Sequence, residues 1–226
     1  MGRAKEIIIK VLPAEVANNF VRKNHYSGKV VPNSKLHFGC FLDNKLHGVL
    51  SYGTSMQKSK IIGLVKPCLW NEMLELNRMA FDDYLPKYSE SRCISVTIRL
   101  LKKHAPHIKW ILSYADGCQC GDGTIYRASG FKLVGIKKNT TLLKMPNGEI
   151  KADKTLNNKR YIKKGQSASY WKKKGASPIM GNQLKYIYLI DKNCTITVPI
   201  LPFSQIDKIG AGMYKGKKIT LKERKN

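Results

Sequence analysis

Leu76-Asn77-Arg78-Met79, Tyr88-Ser89-Glu90-Ser91-Arg92, Tyr114-Ala115-Asp116 and Ile125-Tyr126-Arg127-Ala128-Ser129-Gly130-Phe131 are the pieces that decide the fold. Residues 73–81 read as a strand. Ser89 or Ser91 is expected to cap a helix whose apolar positions Cys93, Ile94, Val96, Ile98, Leu100 and Leu101 cover a broad face. Lys102, Lys103 and His104 suit its negative end, and Pro106 stops it. Residues 108–114 read as a buried strand, 124–129 as a short helix closed by Gly130, and 131–136 as another strand. A strand–helix–strand unit of this kind predicts a crossover joining parallel strands. Polar groups at the carboxyl ends of such strands line the crevice where ligands bind.

Working outward, residues 7–11 form a short apolar run, and Pro13 can open a helix running to about Lys23. Residues 36–42 and 46–52 flank Asp43-Asn44, a two-residue turn, and predict a hairpin. Beyond residue 136 the composition shifts. Residues 137–226 hold 21 Lys or Arg against five Asp or Glu. Only residues 186–190 there read strongly as a strand, with a second apolar patch at 198–203. The expected class is therefore α/β (α+β): a mixed central sheet flanked by helices over residues 1–140. A basic extension, 141–226, is expected to pack on the same domain.

The apolar fraction of 42%, with three Trp, eleven Tyr and six Phe, supports a real core and excludes a disordered tail. The 41 basic and 15 acidic residues leave a net charge of +26, which calls for a polyanionic partner. Nucleic acid is the first candidate and an anionic membrane surface the second. No long apolar run or signal-like start supports the membrane. A ribosomal or structural RNA binder fits the charge alone. The six cysteines read as reduced thiols of a cytoplasmic protein, and Cys118-Gln-Cys120 is a single close pair where zinc knuckles use two.

The order of elements, with Tyr126-x-x-x-Gly130-Phe131, resembles the GNAT acyltransferase superfamily. A more specific resemblance is to the phage Mom family. Asn24-His25-Tyr26-Ser27-Gly28, Leu76-Asn77-Arg78-Met79-Ala80, Ser89-Glu90-Ser91-Arg92, Tyr114-Ala115-Asp116 and Gly123 to Ser129 carry it, over about residues 20–136. What the resemblance implies is a phage or prophage enzyme of the host cytoplasm. It would add a carbamoylmethyl (acetamido-type) group to the exocyclic amine of adenine in double-stranded DNA and so protect it from restriction. Acetyl-CoA as donor and a bound iron are both implied for such a family. The Gly-rich pyrophosphate loop of ordinary acetyltransferases is replaced here by Tyr88-Ser89-Glu90-Ser91-Arg92, which removes close backbone approach.

The adenine amine is a poor nucleophile, and the base must leave the stack to react. His25 reads locally as a helix C-cap and, with the resemblance, as general base or metal ligand. Asp116 reads as a crevice carboxylate or a turn former, and Tyr126 as a hydrogen-bond donor or a packing ring. His25, Tyr26, Asn77, Asp116 and Tyr126 form the expected catalytic set. Within it, His25, Tyr26, Asp116 and Tyr126 make a mixed oxygen–nitrogen set for iron. Asn77 reads as a reader of the adenine edge or a strand amide. Arg78, Ser89, Ser91 and Arg92 are expected at the donor. An ion pair of Arg92 with Glu90 or Asp82 is the alternative. Lys159, Arg160, Lys163, Lys164, Tyr170, Trp171, Lys172, Lys173 and Lys174 are the expected DNA contacts, cations for phosphates and aromatics for an unpaired base. A solvated charged surface is the alternative. No coiled-coil seam indicates an oligomer.

Overall fold

The computed structural model describes residues 2–225. Its main elements are β1 (Ile8–Val11), α1 (Ala14–Asn24), β2 (Ser34–Leu42), β3 (Lys45–Gly53), β4 (Met73–Phe81), α2 (Ser89–His104), β5 (Trp110–Gly117), α3 (Thr124–Ala128), β6 (Lys132–Lys138) and β7 (Asn182–Leu189). The chain forms two compact units. One comprises residues up to 115, 123–135 and 184–205; the other comprises 116–122, 136–183 and the residues from 206 on.

The first unit is built on a seven-stranded mixed sheet of order β1-β2-β3-β4-β5-β7-β6. Strands β1 to β4 are antiparallel neighbours, and β4 runs parallel to β5, as the crossover through α2 requires. The β2–β3 hairpin turns at Asp43 and Asn44, both at positive φ (49° and 60°), the backbone that matches the twist of the strands. Helix α1 packs Ala17 and Val21 against Val49 and Ala80. Helix α2 buries Cys93, Ile94, Thr97, Ile98 and Leu101. Tyr52 and Thr97, both fully buried, join their hydroxyls at 2.6 Å. A third cluster joins Ile61, Leu64 and Val65 to Met73, Trp110, Leu112 and Ile187. The sheet therefore has apolar cover on both faces, which explains its long, weakly alternating apolar runs.

The second unit holds a three-stranded antiparallel sheet of order Ser177–Pro178, Leu142–Lys144, Ile150–Ala152. Helices Asp153–Leu156, Lys159–Lys163 and Ala168–Lys173 accompany it. Its core is Leu143, Met145, Leu156, Ala168 and Ala176, with Tyr161 and Trp171 packed against it. Strands of two or three residues carry no periodic signal, so the sequence did not announce them. The apolar patch at 198–203 is not a strand; Leu201 makes one isolated bridge to Leu133. Among the described residues all six cysteines are free thiols, and no helix is long and apolar enough to cross a membrane.

Candidate active site

Strands β4 and β5 share four rungs, from Met73↔Trp110 to Leu76↔Ser113. Ser113 donates from Oγ to the Leu76 carbonyl at 3.0 Å on the last of them. Beyond that rung the two strands no longer pair. One continues as Asn77-Arg78 and the other as Tyr114-Ala115-Asp116. On its other side β4 is interrupted as well. Ser51 pairs with Arg78 and Tyr52 with Leu76, so Asn77 is the extra residue of a bulge. A bulge bends its strand and re-aims its side chain.

Asn77 accepts from Ser34 Oγ at 2.7 Å through its amide oxygen, whereas its amide nitrogen is buried with no partner among the described residues. Reading an adenine through both amide atoms would share the oxygen with Ser34. The nitrogen is the available donor. Gly53 makes this arrangement possible: a Cβ there would stand 2.0 Å from the Asn33 carbonyl and 3.0 Å from Asn77 Nδ2. Arg78 donates to the carbonyls of Lys29 (2.8 Å) and Asn77 (3.0 Å), tying the loop after α1 to the strand.

The same region holds residues that sequence reasoning missed. Glu75 is half-buried, bonded to Ser55 and near Arg78. Burial is the largest influence on its carboxyl and raises its pKa. Burial, and then Glu75, push the Tyr114 hydroxyl up to about 12. Lys185 lies 6.0 Å from the Tyr114 ring centroid. The signal was a lone acid at an inward position of a strand otherwise read as apolar. His37 is a second such residue. It is 3% exposed, its Nδ1 is 2.8 Å from Ser51 Oγ, its Nε2 has no partner among the described residues, and burial lowers its pKa.

Two of the expected donor residues, Ser91 and Arg92, line a cavity of about 530 Å³ at the start of α2; Arg78 and Ser89 do not. Every charged residue lining it is a cation: Lys5, Lys87, Arg92 and Arg99. Tyr88, Ser91, Ser95, Ser129 and Tyr188 add polar surface. The expected serine cap is not formed. Tyr88, at φ 71°, is the N-cap residue and no side chain caps the helix. Ser89 and Ser91 instead donate backwards, to the carbonyls of Pro86 (2.6 Å) and Tyr88 (3.1 Å). A hydroxyl that has turned to donate upstream does not take up the helix N–H groups. Ser89 is fully buried and does not line the cavity, while Ser91 does. Arg92 donates to the Lys5 carbonyl at 3.0 Å instead of pairing with Glu90 or Asp82, and its Nε is buried without a partner among the described residues.

The residues expected to hold iron are otherwise occupied. His25 Nδ1 accepts the Ser27 N–H at 3.1 Å and lies 2.8 Å from its hydroxyl. The His25 ring sits 4.3 Å, centroid to centroid, from Tyr26, which is exposed. Tyr126 is 8% exposed and packs its ring 5.4 Å from Tyr186 and 5.5 Å from Phe131. Both Asp116 oxygens organise its own turn: Oδ1 accepts the Cys118 N–H at 3.0 Å and Oδ2 accepts from Gln119 Nε2 at 2.9 Å. Burial, then the Asp116 charge, raise the Cys118 thiol to about 12, which disfavours a metal-binding thiolate. Among the described residues no three His, Cys, Asp or Glu side chains stand together to hold a metal ion. The arrangement does not fit iron.

In the second unit, Asn158 and Ser167 cap the helices Lys159–Lys163 and Ala168–Lys173 through their side-chain oxygens. Lys159, Arg160, Lys163, Lys164, Lys172, Lys173 and Lys174 are exposed. The aromatics divide. Tyr170 is 39% exposed, whereas Trp171 packs on the core and buries its indole nitrogen. The unit carries 19 Lys or Arg against six Asp or Glu.

"Methylcarbamoylase mom" of Escherichia phage Mu is 33% identical over 138 residues, 61% of this chain and 57% of that protein, so the match spans little more than half of the relative's length. Among solved structures, the ribosomal-protein-S5-alanine acetyltransferase of Vibrio fischeri is 13% identical with a TM-score of 0.48, covering 82% of this chain and 94% of that one. The ribosomal-protein-S18-alanine N-acetyltransferase of Escherichia coli is 11% identical with a TM-score of 0.46 and the same coverage. At those values neither structure carries weight for this chain. The Mom protein family, by contrast, matches residues 6–205, nearly the whole of the sheet-bearing unit and the first basic helices, and the chain belongs to it.

Proposed function

We propose that this protein is a phage DNA-modification enzyme, active in the host cytoplasm. It adds a carbamoylmethyl (acetamido-type) group to the exocyclic amine of adenine in double-stranded DNA, which protects that DNA from restriction. The observation that carries the reading is the parting of β4 and β5 after Leu76 and Ser113, with Asn77 and Arg78 following on one strand and Tyr114 to Asp116 on the other. Membership of the Mom family and the name of the phage Mu relative support the chemistry. Bases are reached for such chemistry only when flipped out of the duplex.

The roles follow from the groups. Asn77 Nδ2 donates to a ring nitrogen of the flipped adenine. Arg78 holds the loop that carries His25 and Tyr26, and Asp116 keeps the turn after β5 in shape. His25 and Tyr126 remain the candidates for moving the amine proton. The lysines and arginines from 159 to 174 bind DNA phosphates, with Tyr170 as the exposed aromatic. Residues 1–140 supply most of the catalytic fold, which strand β7 of the basic extension 141–226 completes.

The cationic cavity supports an anionic donor such as acetyl-CoA. An arginine nitrogen without a partner among the described residues, three further cations and an uncapped helix start suit a pyrophosphate. When bound, acetyl-CoA would supply an activated acetyl group; the amide nitrogen of a carbamoylmethyl product would have to come from a second, nitrogen-bearing reactant. Arg92, Ser91 and Lys87 would hold the CoA phosphates. The same cavity favours one second reading, an ordinary N-acetyltransferase acting on a protein or small amine.

Mass spectrometry of nucleosides from plasmid DNA, after expression of the protein and of Asp116→Ala, separates the readings. A heavier deoxyadenosine that the variant fails to make is expected. Unmodified DNA with soluble protein and tight CoA binding would transfer support to the acetyltransferase.

A further inference from the structure

Glu75, Asn77 and Tyr114 are polar groups of the first unit at the point where the paired strands part, and each has a property that packing alone does not call for. Glu75 pairs with Leu112, and Tyr114 stands two residues beyond Leu112 on its strand, so the two side chains share a face of the sheet. Further back on the same strands Met73, Trp110 and Leu112 are buried in an apolar cluster. Glu75 is opposite Gly53, and Asn77 Nδ2 closes against the same glycine. The Ser55 hydroxyl bonds the Glu75 carboxyl, which has a second oxygen, and a carboxyl accepts hydrogen bonds in either protonation state. Asn77 contributes an N–H donor that has no partner among the described residues. Tyr114 is 40% exposed and offers a ring face.

One acceptor, one donor and an aromatic face match the amine edge of adenine, a donor–acceptor order that cytosine shares. The adenine amine donates, the adjoining ring nitrogen accepts, and the purine stacks. Guanine and thymine present a carbonyl where adenine has its amine, and that carbonyl would meet the Glu75 oxygen. We propose that Glu75 is the group that accepts the exocyclic N–H of the flipped adenine, Asn77 Nδ2 donating beside it and Tyr114 stacking. This rests on the adenine-modifying reading and names the residue that separates an amino base from guanine and thymine.

The test uses the full-length protein and two measurements. Plasmid nucleosides are analysed after expression of wild type and Glu75→Gln. Purified proteins are then challenged with single-stranded oligonucleotides that differ at one base, adenine or hypoxanthine, in competition. Hypoxanthine replaces the amine with a carbonyl, to which the amide introduced by Glu75→Gln can donate, and its N1 carries a hydrogen that still opposes Asn77 Nδ2. Expected are a fall in modified deoxyadenosine of about 10- to 100-fold and a weakened preference for adenine, with unchanged melting temperature. Modification at the wild-type level, or a fall with the preference intact, overturns the proposal. If wild type modifies nothing, the enzymatic reading fails, while the competition still decides whether Glu75 favours adenine over hypoxanthine. Should Glu75→Gln unfold, Glu75→Asp takes its place. Withdrawing the carboxyl by one methylene is expected to weaken the preference, and an unchanged preference overturns the assignment.

Discussion

Ser113 Oγ donates to the Leu76 carbonyl at 3.0 Å, and these two residues form the last rung that β4 and β5 share. A buried hydroxyl thus pins the strands one residue before they part. Replacing Ser113 by Ala removes the bond and leaves the Leu76 carbonyl short of one partner. The expected loss is about 0.5–1.5 kcal/mol. That corresponds to a fall of a few °C in melting temperature for a chain of this size, on the order of 2–4 °C per kcal/mol. Differential scanning calorimetry checks it, and no change would mean that the rung holds without the hydroxyl.

His37 is expected to make stability depend on pH with a definite sign. Burial lowers its pKa from the ordinary histidine value of 6.5, so the unfolded chain binds the proton more readily than the native one. Stability is then fully present above roughly pH 6.5 and declines as the pH falls from there through the folded-state pKa. Glu75 acts oppositely, because its raised pKa lets the native state hold a proton that the unfolded chain gives up. The difference in denaturant midpoint between wild type and His37→Phe, measured from pH 7.5 to 5, should narrow as the pH falls. A constant difference would show that His37 does not titrate with folding.

Arg92 should govern anion binding in the cavity beside α2. Its Nε is buried without a partner among the described residues, so a bound phosphate would complete it. Arg92→Ala is expected to weaken CoA binding by about 10- to 150-fold, in line with one charge-assisted hydrogen bond of roughly 1.5–3 kcal/mol. Lys5, Lys87 and Arg99 remain to hold residual affinity. Isothermal calorimetry at low and high salt measures it. Equal affinity for both proteins would remove Arg92 from the donor site.

Tyr170 and Trp171 are neighbours that substitution should separate. Trp171→Ala strips a ring from the core of the second unit and should destabilise it by up to about 3–5 kcal/mol. Tyr170→Ala should leave the melting curve in place and lower DNA affinity by about 1–3 kcal/mol if the ring stacks a base. Fluorescence anisotropy and thermal melts on both variants decide. A loss of DNA affinity confined to Trp171→Ala would point to folding alone.

Lys172, Lys173 and Lys174 are expected to bind phosphates. Replacing all three with Ala should reduce the slope of log affinity against log salt by about 0.9 for each phosphate that is no longer neutralised on duplex DNA. A parallel line with a lower intercept would place these lysines off the interface.

The sequence alone settled the elements whose signal is local. The Asp43-Asn44 hairpin needed only residues that tolerate positive φ, and α2 only a broad apolar face bounded by cations and a proline. Parallel pairing of β4 and β5 followed because the helix between them forces a crossover. Ser89 and Ser91 had the chemistry of caps, but carbonyls three residues back captured their hydroxyls, a local contest that residue type left open. The tertiary structure decided the rest, since the deciding contacts lie far apart in the chain. Arg92 was read against acids near it in sequence, and it meets the Lys5 carbonyl 87 residues away. Asn77 was a polar residue in a strand until the pairing of Ser51 and Tyr52 made it a bulge. Glu75 was one charge in an apolar run. What sets it apart is burial beside Tyr114, and burial is a property of packing that no local pattern of residues encodes.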